Sequence, residues 1–100
     1  MTSSEASCDA LYFQAKDLYI SIVDNDNFVQ GIQEQSKSRP DHRYTMRSAT
    51  EVKSAEAAIR RDYQFLGKIK KEMSSHRCAM SDVVLDWYND ASEIVQGLMR

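Results

Sequence analysis

Cys8, His42, His76 and Cys78 are the whole stock of cysteine and histidine in this 100-residue chain. Thiolate and imidazole are the ligands zinc prefers, and a cysteine beside a histidine is the pairing that activates a sulfur nucleophile. Neither chemistry finds its spacing here. The patterns C-x-x-C and H-x-x-x-H that preorganise ligands are absent, His76 and Cys78 fall on different sides of a helix, and no Gly-rich oxyanion loop accompanies either cysteine. The two cysteines lie far apart in a chain without an export signal. They read as reduced thiols of a cytosol-like compartment, packed as small apolar residues on helix faces.

The carboxylates offer two further patterns. Asp24 and Asp26 with the nearby Gly31 suggest a calcium loop, but its fifth, sixth and twelfth places hold Phe28, Val29 and Gln35 instead of an oxygen ligand, Gly and Glu. Asp86 and Asp90 stand one helical turn apart, the geometry at which two carboxylates share a metal or a proton. Their neighbours on that face are acidic and polar, so a solvated helix surface accounts for them. No Gly-rich phosphate cradle occurs anywhere. The expectation is a chain with no catalytic residue, no metal and no cofactor.

Cationic residues are concentrated in the middle of the chain. Arg39, Arg43 and Arg47 recur every four residues, and Arg60, Arg61, Lys68 and Lys71 continue a basic surface. Such a surface contacts phosphates in nucleic-acid-binding proteins, with Tyr44 placed to stack on a base. Charge by segment argues the other way. Residues 1–36, 37–77 and 78–100 carry −5, +6 and −3, and the total is −2. Two acidic segments flank the basic one and attract it, so pairing within the chain or with a partner helix is the default, and nucleic-acid binding through residues 39–71 is the alternative.

Helices must position all of these groups. Cys8, Leu11, Ala15, Leu18, Ile22, Asn25, Val29, Ile32 and Ser36 recur in alternating steps of three and four, which predicts a helix over about 5–36 with a heptad seam widened by Tyr12, Tyr19 and Val23. Two other readings compete. One is a hairpin of strands over Leu18–Val23 and Phe28–Ile32, disfavoured because its turn holds no Gly; the other is a helix broken at Asp24–Asn27, four poor helix formers in a row. The lone proline, Pro40, places a loop at about 36–40 and suits the first turn of the next helix, with Asp41 complementing its dipole.

Ser48, Val52, Ala55, Ile59, Asp62, Leu66, Ile69 and Met73 then predict a second helix over about 41–73. Gly67 inside it costs about 1 kcal/mol relative to Ala unless another backbone packs closely there. Ser74–Cys78 contains candidate caps but neither Gly nor Pro, so a break is not fixed by the sequence. The most apolar helical face, formed by Met80, Val83, Val84, Trp87, Tyr88, Ala91, Ile94, Val95 and Leu98, predicts a third helix over about 80–98. Trp87 aligns with the core positions of that face, and Tyr88 lies at its edge.

Composition agrees with this reading. Three Gly and one Pro leave too little turn chemistry for a sandwich, barrel or doubly wound sheet. Ile, Leu, Val and Phe total 20 residues, a low content that makes help from a partner chain natural. No basic stretch precedes an apolar core, and no apolar run is long enough for a membrane span. The expected protein is a single all-α domain, an antiparallel helical hairpin or three-helix bundle with coiled-coil-type seams. Its expected role is a non-enzymatic, cytoplasmic interaction module (subunit, adaptor or chaperone) for a helical protein partner or a homo-oligomer. The candidate interface residues are Leu11, Leu18, Ile22, Val29, Ile32, Val52, Ile59, Leu66, Ile69, Trp87 and Tyr88.

Overall fold

A computed structural model describes residues 3–38 and 46–98, with side chains over 7–34 and 49–98. Three helices, α1 (Ser3–Ser38), α2 (Met46–Ser75) and α3 (Ser81–Leu98), pack against one another, and no strand occurs among the described residues. This is an all-α three-helix bundle. Residues that rise along α1 meet residues that fall along α2: Ser21 lies beside Asp62, and Val29 clusters with Val52 and Ala55. The two helices are therefore antiparallel. Along α3 the order runs with α1, since Tyr12 and Tyr19 meet Trp87 and Tyr19 reaches Asp90. The bundle measures 60 × 19 × 16 Å, and the 36 residues of α1, at about 1.5 Å each, span most of that length.

Seam residues form the core. Ala15, Ile22, Ile59, Leu66, Met73, Val84 and Ala91 are fully buried where the three helices meet, and Val29, Val52 and Ala55, packed by Ile32, continue the seam between α1 and α2. One carboxylate lies in the seam. Asp62 is buried, accepts a 2.8 Å hydrogen bond from Ser21 Oγ and has Arg61 Nε at 3.6 Å, so both its oxygens have polar neighbours.

The helix does not break at Asp24–Asn27, nor does a strand form at Leu18–Val23. Ile22 and Val29 are buried on either side of the polar run, and its side chains bond within the helix: Asn25 Nδ2 donates to the Ser21 carbonyl at 3.0 Å, and Gln30 Nε2 to Asp26 Oδ2 at 2.9 Å. Burial of the seam outweighs the weak propensity of four residues. α1 also runs through Ser36–Ser38, where a loop was expected. The expected start of α2 at Asp41, with Pro40 in its first turn, lies outside the described residues.

Between α2 and α3 the chain turns without glycine. Arg77 takes a left-handed conformation (φ 53°), Cys78 N donates to Met73 O at 2.9 Å and Arg77 N to Ser74 O at 3.2 Å. This is a Schellman cap. Its hydrophobic contact comes from Met73 and Cys78, both buried in the same cluster. Gly67 is covered by a ring instead of a backbone, for a Cβ there would meet Tyr88 Cε2 at 3.1 Å.

The cysteines overturn the reduced-thiol reading. Cys8 and Cys78 form a disulfide with Cα atoms 5.5 Å apart. Antiparallel packing of α2 on α1 returns the α2–α3 turn to the start of α1, which brings together two residues separated by 70 positions. Neither side chain is a free thiol packed on a helix face, so the argument for a reducing compartment falls with them.

Closing a loop of this size removes chain entropy from the unfolded state, so reduction of the disulfide is expected to lower stability by about 2–4 kcal/mol. Denaturant midpoints measured with and without reductant, and in the Cys8→Ser, Cys78→Ser variant, check this; coincident midpoints contradict it. Arg77→Gly is expected to raise stability by about 1 kcal/mol, because glycine adopts the left-handed conformation without the steric cost of a Cβ. A melting temperature that is unchanged or lower in Arg77→Gly contradicts that account of the turn.

Candidate functional site

Two aromatic groups flank α3. On the α1 side, the Trp87 ring lies 5.5 Å from Tyr12 and is stacked on Tyr19 at 5.5 Å with planes 9° apart. Tyr19 Oη donates a 3.1 Å hydrogen bond to Asp90 Oδ2, so α3 is held to α1 by a stack and a polar tie one turn farther on. On the α2 side, Tyr88 stacks on Tyr63 at 4.9 Å, rests on Gly67 and carries the Lys70 ammonium 4.5 Å from its ring centre.

A cleft of about 580 Å³ opens beside the Tyr19–Asp90 tie, between α1 and the last turns of α3. Val29, Ile94 and Leu98 supply apolar lining, Gln30 and Gln33 polar lining from α1, and Gly97 a stretch of bare backbone. Four carboxylates, from Asp26, Glu56, Asp90 and Glu93, complete it, and its lining contains no cationic side chain. A second cavity, about 300 Å³, lies at the disulfide end among Tyr12, Phe13, Met73 and Met80.

Burial, then the hydrogen bond to Asp90, then the charge of Asp90 hold the Tyr19 phenol above its ordinary value near 10. Tyr88 is raised because it donates to Tyr63, with burial adding to the shift. Tyr63 is lowered, since its oxygen accepts from Ser92 and from Tyr88 and lies near the Lys70 charge.

Most of the expected interface residues pack inside the chain. Leu11, Ile22, Val29, Val52, Ile59, Leu66 and Ile69 are buried against the chain's own helices, while Leu18, Ile32, Trp87 and Tyr88 are half-buried at the edges of that core. Of the basic surface, Arg39 and Arg43 lie outside the described residues, Arg47 belongs to α2 with its side chain not described, and Arg60, Arg61, Lys68 and Lys71 are exposed. Arg60 and Arg61 find acids on their own helix, Glu56 at 3.8 Å and Asp62 at 3.6 Å, and Lys68 lies 5.4 Å from the Phe65 ring centre. Among the described residues no group of three or more His, Cys, Asp or Glu is placed to hold a metal ion.

None of the exposed apolar side chains Phe13 (60%), Ile20 (46%), Phe28, Phe65, Met80 and Leu85 was among the interface residues expected from the sequence. The signal was present at Phe13 and Ile20, two apolar residues seven apart and off the Leu11–Ile22 seam. Comparison of the chain with protein-family models, with curated proteins and with solved structures finds no match, so the geometry carries the functional argument.

The raised Tyr19 gives a pH expectation. Its contribution to stability is whole below the ordinary phenol value and declines as pH rises from there through the higher folded value. Tyr19→Phe removes that alkaline decline. Asp90→Asn brings Tyr19 ionisation down towards the ordinary value without reaching it, because burial remains. Phenolate absorbance and melting curves across the alkaline range check both; identical titrations for the wild type and Asp90→Asn contradict the tie.

Proposed function

We propose that this chain is a non-enzymatic helical interaction module, presenting helix faces to another helical protein or to a copy of itself. The supporting observation is the set of large apolar side chains left 41–60% exposed on a bundle whose seams are already filled. Phe13 and Ile20 stand two turns apart on one face of α1, and Phe13 borders the cavity at the disulfide end together with Met80. Large apolar side chains left open to water in this number are the material of an association site. Subunit, adaptor and chaperone roles all fit such a surface. No helix among the described residues is long and apolar enough to cross a membrane. The expectation of a cytoplasmic setting rested in part on reduced thiols, and the disulfide favours an oxidising one.

A second reading, binding of a polyanion such as nucleic acid, draws on the exposure of Arg60, Arg61, Lys68 and Lys71, two of which pair within α2 and not with the acidic helices. The net charge of −2 opposes it at long range.

The discriminating measurement is the mass of the purified chain in solution, alone and after capture from its native extract, set beside the Phe13→Ser, Ile20→Ser variant. Both substitutions are at exposed positions, so each is expected to change stability by no more than about 0.5 kcal/mol while association is lost. A monomer that captures nothing overturns the interaction reading. Micromolar binding to mixed-sequence oligonucleotides at physiological salt, with a log–log salt slope of roughly −0.7 to −0.9 per phosphate contact, moves the polyanion reading to first place.

A further inference from the structure

Four carboxylates line one cleft, yet none of them belongs, among the described residues, to a group of three or more His, Cys, Asp or Glu placed to hold a metal ion. Their charge is spread along the walls. Asp26 comes from α1, Glu56 from α2, and Asp90 and Glu93 from α3, while Val29, Ile94 and Leu98 are the apolar lining. An occupant matched to this arrangement carries several cations along its length and an apolar strip between them. A Lys- or Arg-rich amphipathic helix has that form, with residues three and four apart on one face and its charges on the flanks.

Gly97 adds a steric argument. A Cβ built there meets nothing within 4 Å, so the backbone of α3 is open to close approach from the cleft side. Asp26 and Asp90 are already oriented, by Gln30 and Tyr19 respectively, so two of the four carboxylates are held in place before anything binds.

We propose that the cleft between α1 and α3 receives a basic amphipathic helix from a partner protein. The proposal rests on the interaction-module reading and specifies the chemistry of the partner at one site. Glu56 is already paired with Arg60 of its own helix, so Asp26, Asp90 and Glu93 attract the cationic flanks, and the strip of apolar residues covers Ile94 and Leu98.

The chain carries its own reporter. Trp87 is its single tryptophan and stacks on Tyr19, which lines the cleft. Occupation of the cleft changes the surroundings of Tyr19 and with them the Trp87 emission. The probe is a synthetic, tryptophan-free helical peptide of about five turns, with leucines three and four apart flanked by lysines; a second peptide replaces every lysine with glutamate. The full, disulfide-bonded chain is titrated with each peptide, following Trp87 emission and the anisotropy of labelled peptide. Gly97→Phe blocks the cleft at a position with free space, and Glu93→Lys reverses one exposed wall charge; unchanged circular dichroism and melting temperature establish that both variants are folded.

The lysine peptide is expected to bind and to change Trp87 emission, the glutamate peptide to leave it unchanged, and added salt to weaken binding. Each variant should weaken the lysine peptide by about tenfold or more. The proposal is overturned if the lysine peptide does not bind, if it binds Gly97→Phe as tightly as the wild type, or if both peptides bind alike. It is also overturned if the wild type is a dimer that Gly97→Phe converts to monomer, since a second copy is then the occupant. Peptide failure alongside association that depends on Phe13 and Ile20 removes the cleft proposal and leaves the interaction reading intact.

Discussion

The register of α1 against α2 is the constraint on which the other features depend. In an antiparallel helix pair, each residue on one seam has a defined height on the other, and a slip of one turn moves every contact by about 5.4 Å. Here the register is marked by interactions of different kinds. Apolar seam residues such as Ala15, Ile22 and Val29 are buried along it, but apolar burial is non-directional and discriminates less between neighbouring registers than a polar pair does. The Ser21–Asp62 hydrogen bond is different. A carboxylate buried in a slipped register without its donor costs several kcal/mol, so a single polar pair disfavours the alternatives that the apolar residues tolerate.

The position of α3 follows from that register. The α2–α3 turn is set by the Schellman cap at Arg77, and the disulfide anchors it to the start of α1. From that point α3 runs alongside α1 and packs into the groove of the hairpin, with Trp87 facing Tyr12 and Tyr19 and with Tyr88 facing Tyr63 and Gly67. Glycine at position 67 has a packing reason. A methyl group there would press on the Tyr88 ring at 3.1 Å, so the helix propensity lost to glycine is the condition for the close approach of α3. The cleft starts at Asp90, just beyond Tyr88, and runs along α3 to Leu98.

The helices were legible in the sequence because burial and period coincide. Leu11, Ala15, Ile22, Val29, Val52, Ile59, Leu66 and Met73 were assigned to seams by spacing alone and are buried. Local polarity was a weaker guide, as the unbroken helix through Asp24–Asn27 shows: four unfavourable propensities sum to less than the burial on either side. The disulfide was not legible. No local pattern encodes the proximity of Cys8 and Cys78, which arises only when a long hairpin folds back, and reading each cysteine in its own neighbourhood made them small apolar residues. The left-handed Arg77 was hidden for a related reason, since the usual mark of such a turn is glycine and here hydrogen bonds and the Met73–Cys78 contact hold an arginine in that conformation. The cleft was illegible too, because its carboxylates come from three helices and appear along the chain as ordinary solvated acids.

Segment charge led to the expectation that the acidic segments pair with the basic one, but the observed ion pairs give it a different meaning. Arg60 and Arg61 find their acids on α2 itself, and Asp90 is held by a tyrosine. Exposed ion pairs contribute about 0–1 kcal/mol, so charge has little leverage on how these helices pack. Its effect lies outside the core. Arg60, Arg61, Lys68 and Lys71 give α2 an exposed basic surface, whereas the cleft between α1 and α3 is lined by carboxylates alone among its charged groups. Charge acts across about 8–10 Å in physiological salt and apolar contact only at touching distance, so under the proposed interaction role two surfaces of opposite sign would orient a charged partner before apolar surface is buried. Uneven charge along the sequence thus becomes uneven charge around the bundle, with little consequence for how the helices pack.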